Sequence, residues 1–132
     1  MGFISHIDFR VENAADVMPF YDALFTALGL QAGPTRTAVK SYARWDADGV
    51  RTEWFNLYED PASAPSASRI ALRADSQEAV DDVFQAIRGH ARNIEGPEAV
   101  ERSGEFNMSY YGVFFEDAFG NKFEVCHCIM RR

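Results

Sequence analysis

Ser5 to Val11 reads S-H-I-D-F-R-V and Ser68 to Ala74 reads S-R-I-A-L-R-A, with Ser, Ile and Arg in the same phase. A second pair of segments repeats with them. Asp46-Ala47-Asp48-Gly49-Val50-Arg51-Thr52-Glu53 matches Asp117-Ala118-Phe119-Gly120-Asn121-Lys122-Phe123-Glu124 in D-A-x-G, a basic residue and a closing Glu. Two copies are too few for a solenoid, so a domain of two like modules is expected. Between them, Asp60 to Ser68 collects prolines and small residues that disfavour regular structure. The expected organisation is a single domain over 1–132, with modules at about 1–60 and 68–132 and a linker at about 60–67.

Each module opens on a strand, because Ile7, Phe9 and Val11 alternate with His6, Asp8 and Arg10, and Ser68 to Ala74 follows the same period. A helix follows each strand. Val17, Tyr21, Leu24 and Leu28 have helical spacing from an Asp16 cap to a Gly29 stop. An Asp75-x-x-Glu78 box starts the second helix, which runs through Val80, Val83, Phe84 and Ile87 to Gly89. Strand patterns then return from Thr37 to Tyr58 around the Asp46–Gly49 turn, which predicts a hairpin.

The net charge of −7 repels phosphate backbones and anionic membrane surfaces, so a small molecule or protein is the expected partner, with neither nucleic acid nor membrane. Two cysteines, Cys126 and Cys128, sit two apart on an extended segment without geometry for a mutual disulfide, and free thiols point to a reducing compartment. No basic leader and no bilayer-length apolar run is present, so a cytoplasmic protein is expected.

The two strand-helix-strands modules, together with Tyr110-Tyr111-Gly112-Val113-Phe114-Phe115-Glu116-Asp117-Ala118-Phe119-Gly120-Asn121-Lys122-Phe123-Glu124-Val125, resemble the vicinal oxygen chelate superfamily: glyoxalase I, bleomycin-resistance proteins and extradiol dioxygenases. The final stretch departs from the family's D-P-D-G-N turn, with Ala118 and Phe119 in place of Pro and Asp. The resemblance implies an α+β fold of two tandem βαβββ modules, their sheets curled around a cavity and their helices on the outer face. It also implies a homodimer and, in many members, a divalent metal in the cavity.

His6 and Glu124 match the family's metal-ligand positions, and a His with a carboxylate suits zinc, nickel, manganese or iron. A third ligand is expected from Glu53 by turn alignment or from Asn56 by strand alternation, the latter favoured because burial phase constrains a strand more than turn length does. At the second module's counterpart of His6 stands Arg69, whose guanidinium has no lone pair for a metal. Arg69 is expected either to pair with Glu124 or to hold an anionic oxygen of a ligand in place of the cation. Arg69, Asn56, Trp54, Tyr111 and Cys126 are the expected ligand-binding residues, and Glu124 the expected catalytic one. Tyr42, Tyr58 and Tyr110 are further aromatic candidates, whereas Cys126-His127-Cys128 lacks the second ligand pair of a zinc site. The expected function is therefore binding of a small aromatic or anionic molecule with an incomplete metal site and no cofactor. The alternative is a divalent-metal-dependent lyase, isomerase or dioxygenase.

Overall fold

The computed structural model describes residues 3–132, which divide into two compact units at Ala64/Pro65. The first unit runs β1 (His6–Val11), α1 (Ala14–Ala27), β2 (Gln31–Gly33), β3 (Lys40–Trp45) and β4 (Arg51–Glu59). The second repeats the order with β5 (Arg69–Arg73), α2 (Gln77–Ile87), β6 (Arg92–Arg102), β7 (Asn107–Glu116) and β8 (Lys122–Arg131). Each unit is thus a βαβββ module of an α+β fold. Its four-stranded sheet has the order β1-β4-β3-β2 or β5-β8-β7-β6. The first strand lies parallel to the last and the other pairs are antiparallel, as a helical crossover followed by a meander requires.

Alternation decides which residues meet each helix. In the first unit Tyr42, Phe55 and Leu57 point toward α1 and are buried with its Phe20, Tyr21, Leu24 and Phe25. In the second, Val113, Phe115, Phe123 and Val125 are fully buried, as are Val80, Val83 and Ile87 of α2. Intervening strand residues face away from the helix, and this open face carries most of the candidate chemistry.

Both helix starts differ from expectation. Asn13 rather than Asp16 caps α1, its Oδ1 accepting from the Asp16 amide, and Pro19 lies inside the helix. Ser76 rather than Asp75 caps α2, accepting from the Ala79 amide. The short strand β2 lacks an alternating pattern of its own and is held by its pairing with β3.

Candidate functional site

The open face of the first unit is built from β1 and β4 in register: His6 beside Trp54, Asp8 beside Asn56 and Arg10 beside Tyr58. Each pair is in contact. His6 stacks on Trp54 at 4.7 Å between ring centroids, Asn56 Nδ2 donates to Asp8 Oδ1 at 2.9 Å, and the Arg10 guanidinium lies 5.7 Å from the Tyr58 ring. Asn56 therefore shares a face with His6. Glu53 points to the other face, where it accepts from Arg44 Nε at 2.6 Å, and Arg44 also donates to the Leu28 carbonyl at the end of α1.

Tyr42 is also on the helix side. It is buried and donates to Asp22 of α1 at 2.8 Å; burial first, and then that carboxylate, raises its pKa, so it is a core residue rather than a wall of the open face. Trp54 does stand on the open face, but its ring already holds His6 and, at 4.2 Å, the Arg51 guanidinium. It serves as a platform for a cation more than as a bare surface for a ligand ring.

In the second unit Glu124 lies on the open face of β8, where Tyr110 of β7 donates to its Oε2 at 2.8 Å. The tyrosine reaches it across Gly112: a Cβ there would sit 2.1 Å from the phenol oxygen, so the glycine makes the pair possible. Burial foremost, and then Glu124, raises the Tyr110 pKa and keeps the phenol protonated as a donor. Cys126 shares this face, and burial together with the nearby Glu124 carboxylate pushes its thiol up to about 11. A thiol so shifted is a wall and not a nucleophile at neutral pH.

Two expectations for this unit are corrected. Arg69 makes no ion pair with Glu124. In the β5–β8 register Glu124 lies beside Ala71, while Arg69 Nη1 donates to the Phe123 carbonyl at 2.9 Å and its guanidinium covers the Phe114 ring at 4.8 Å. Tyr111 faces α2, where it donates to Asp81 at 2.6 Å, so Tyr110 takes the open-face place expected of its neighbour. His127 turns away from both cysteines and meets the Ala74 carbonyl at 3.2 Å.

Of the four positions, His6 and Glu124 carry good ligand groups, Asn56 offers only an amide oxygen, a weak ligand for a transition metal, and Arg69 has no lone pair to give. Among the described residues no three His, Cys, Asp or Glu side chains gather in a way that could hold an ion. The residues present do not fit a divalent metal centre. None of the described helices is long and apolar enough to cross a membrane.

Two βαβββ units with polar side chains on the open sheet faces define a paired-module protein of the glyoxalase type. The chain belongs to the Glyoxalase/Bleomycin resistance protein/Dioxygenase superfamily, whose sequence pattern matches residues 3–125. Among solved structures it is similar to a glyoxalase/bleomycin resistance protein from Albidiferax ferrireducens, at 22% identity and a TM-score of 0.67 over 96% of this chain and 98% of that one. An integron cassette protein from the Halifax Harbour sewage metagenome is similar at 18% identity and TM-score 0.63, over 96% of this chain and 99% of that one. A mutant of the fosfomycin resistance protein FosX from Listeria monocytogenes, complexed with Mn(II) and a dihydroxypropylphosphonic acid, is similar at 20% identity and TM-score 0.56, over 95% of this chain and 89% of that one. No curated protein sequence matches the chain. At these identities the structural likeness concerns the fold, and the chemistry has to be argued from the side chains.

Proposed function

We propose that this chain is a small-molecule-binding member of the superfamily that works without a resident metal. The observation that carries this reading is Arg69. At the place where the second module would repeat His6 stands a cation, fixed to the Phe123 carbonyl and laid over Phe114. A fixed guanidinium repels a divalent ion at that position and attracts a ligand's anionic oxygen instead. Asn56 Nδ2 donates to Asp8 and Glu124 Oε2 accepts from Tyr110, so each of these side chains already has a protein partner. Binding or sequestration requires only a complementary surface, and no step of bond making follows.

The competing reading is a metal-dependent lyase, isomerase or dioxygenase that uses His6 and Glu124, and the Mn(II) complex of FosX is the reason to keep it in view. The two are separated by metal content after dialysis against manganese, iron, nickel and zinc, with a His6→Ala, Glu124→Ala double variant as control. The expected stoichiometry is near zero and the same in both proteins. About one ion per chain, lost in the double variant, would overturn the metal-free reading and direct screening to vicinal dicarbonyls, hemithioacetals and catechols.

A further inference from the structure

The first unit contains five basic side chains: Arg10, Arg36, Lys40, Arg44 and Arg51. Three of them are matched with carboxylates, Arg10 with Asp60 at 3.8 Å, Lys40 with Asp22 at 2.6 Å and Arg44 with Glu53 at 2.6 Å. The two that have no carboxylate among the described residues, Arg36 and Arg51, are the two that line one cavity of about 320 Å³. In a chain with 20 acidic residues to 13 basic ones, two cations lining one cavity without a carboxylate among the described residues are not explained by a shortage of acids.

The cavity is formed by the segment after β2 and the open face of β4, with Thr35, Thr37, Asn56 and Tyr58 also in its wall. Arg51 is held in place by stacking, 4.2 Å from the Trp54 ring and 6.0 Å from that of Trp45. Stacking fixes the plane of a guanidinium and leaves its N–H edge to donate. A side chain at Gly33 would begin 3.3 Å from Ala43 Cβ and 3.9 Å from Arg51 Nη1, so glycine there keeps the space beside the guanidinium clear.

We infer that this cavity is a binding site for a small oxyanion, a carboxylate or phosphoryl group, held by Arg51 and Arg36. The size is right for a ligand of one ring or less, at the lower end of small-molecule pockets. The inference rests on the ligand-binding reading above and adds to it an oxyanion site within the first unit, distinct from Arg69 of the second.

Isothermal titration calorimetry with benzoate, phenyl phosphate and the neutral ester methyl benzoate, in EDTA, tests it. At least one anion is expected to bind saturably and the ester not to bind, and the stronger of the two anions identifies the group as carboxylate or phosphoryl. Arg51→Ala and Arg36→Ala should each weaken binding by about tenfold or more, as loss of a charge-assisted hydrogen bond does. Arg51→Lys, which keeps the charge and loses the planar fork, should fall between wild type and alanine. Saturable binding by neither anion, or anion binding undiminished in a folded Arg36→Ala, Arg51→Ala double variant, would overturn the site. Either outcome would leave the metal-free reading standing, since that reading falls on the metal stoichiometry alone.

Discussion

Gly112 is the residue on which the arrangement around Glu124 turns, because Tyr110 occupies the space its side chain would need. Gly112→Ala should cost about 1–3 kcal/mol in denaturant unfolding, the usual range for overpacking, and Tyr110→Ala in the same chain should recover much of it. Additive losses in the double variant would show that the two positions do not compete for space. Cys126 carries a second residue-scale prediction. Its thiol titrates at about 11 instead of 9.0, chiefly through burial, so alkylation at about pH 8 should be much slower than for a free thiol and should accelerate toward pH 11. The linked stability has a definite sign: as pH rises above 9 the unfolded thiol releases a proton that the folded one keeps, so this group's contribution falls between about 9 and 11 and is complete below that window. Cys126→Ala should flatten that part of the stability profile. Alternation was enough to place Asn56 on the face of His6 and Glu53 on the other, since burial phase fixes strand parity. It did not separate Tyr110 from Tyr111, adjacent residues that point opposite ways, although the glycine two places after Tyr110 is the signal of a close approach in mid-strand.

At the scale of elements, the repeated strand and hairpin signatures were legible because apolar period and turn chemistry are local properties of the chain. The turns show why: Asp46 Oδ1 accepts from the amides of Asp48 and Val50, and Asp117 Oδ1 from those of Phe119 and Asn121, so the same D-A-x-G segment closes the same turn in both units. Helix starts were less legible. Asn13 and Asp16 both stand near the start of α1, and Asp75 and Ser76 near that of α2; which one caps depends on where the preceding strand releases the chain. Asn13→Ala and Ser76→Ala should each lose about 1 kcal/mol of stability in chemical denaturation, whereas Asp75→Ala should lose clearly less. An equal loss from Asp75→Ala would mean that it shares the capping of α2. Strand β2 shows the other limit: a three-residue segment at a sheet edge owes its conformation to β3, and no periodicity within it reports that pairing.

For the molecule as a whole, a net charge of −7 and a local excess of positive charge in one cavity make opposite demands on the solvent. Like charges spread over the surface repel one another in the folded state, and salt relieves that repulsion once the Debye length, about 10 Å at 0.1 M, is shorter than their separation. The attraction of Arg36 and Arg51 for an oxyanion is weakened by the same screening. Raising sodium chloride from about 0.05 to about 0.5 M should therefore hold or increase the melting temperature while lowering the affinity for benzoate or phenyl phosphate. In the Arg36→Ala, Arg51→Ala double variant the thermal response should persist and the salt dependence of any residual binding should shrink. Affinity that rises with salt would assign recognition to apolar contacts along Tyr58 and the 34–38 segment, and the two arginines would then be bystanders to the ligand.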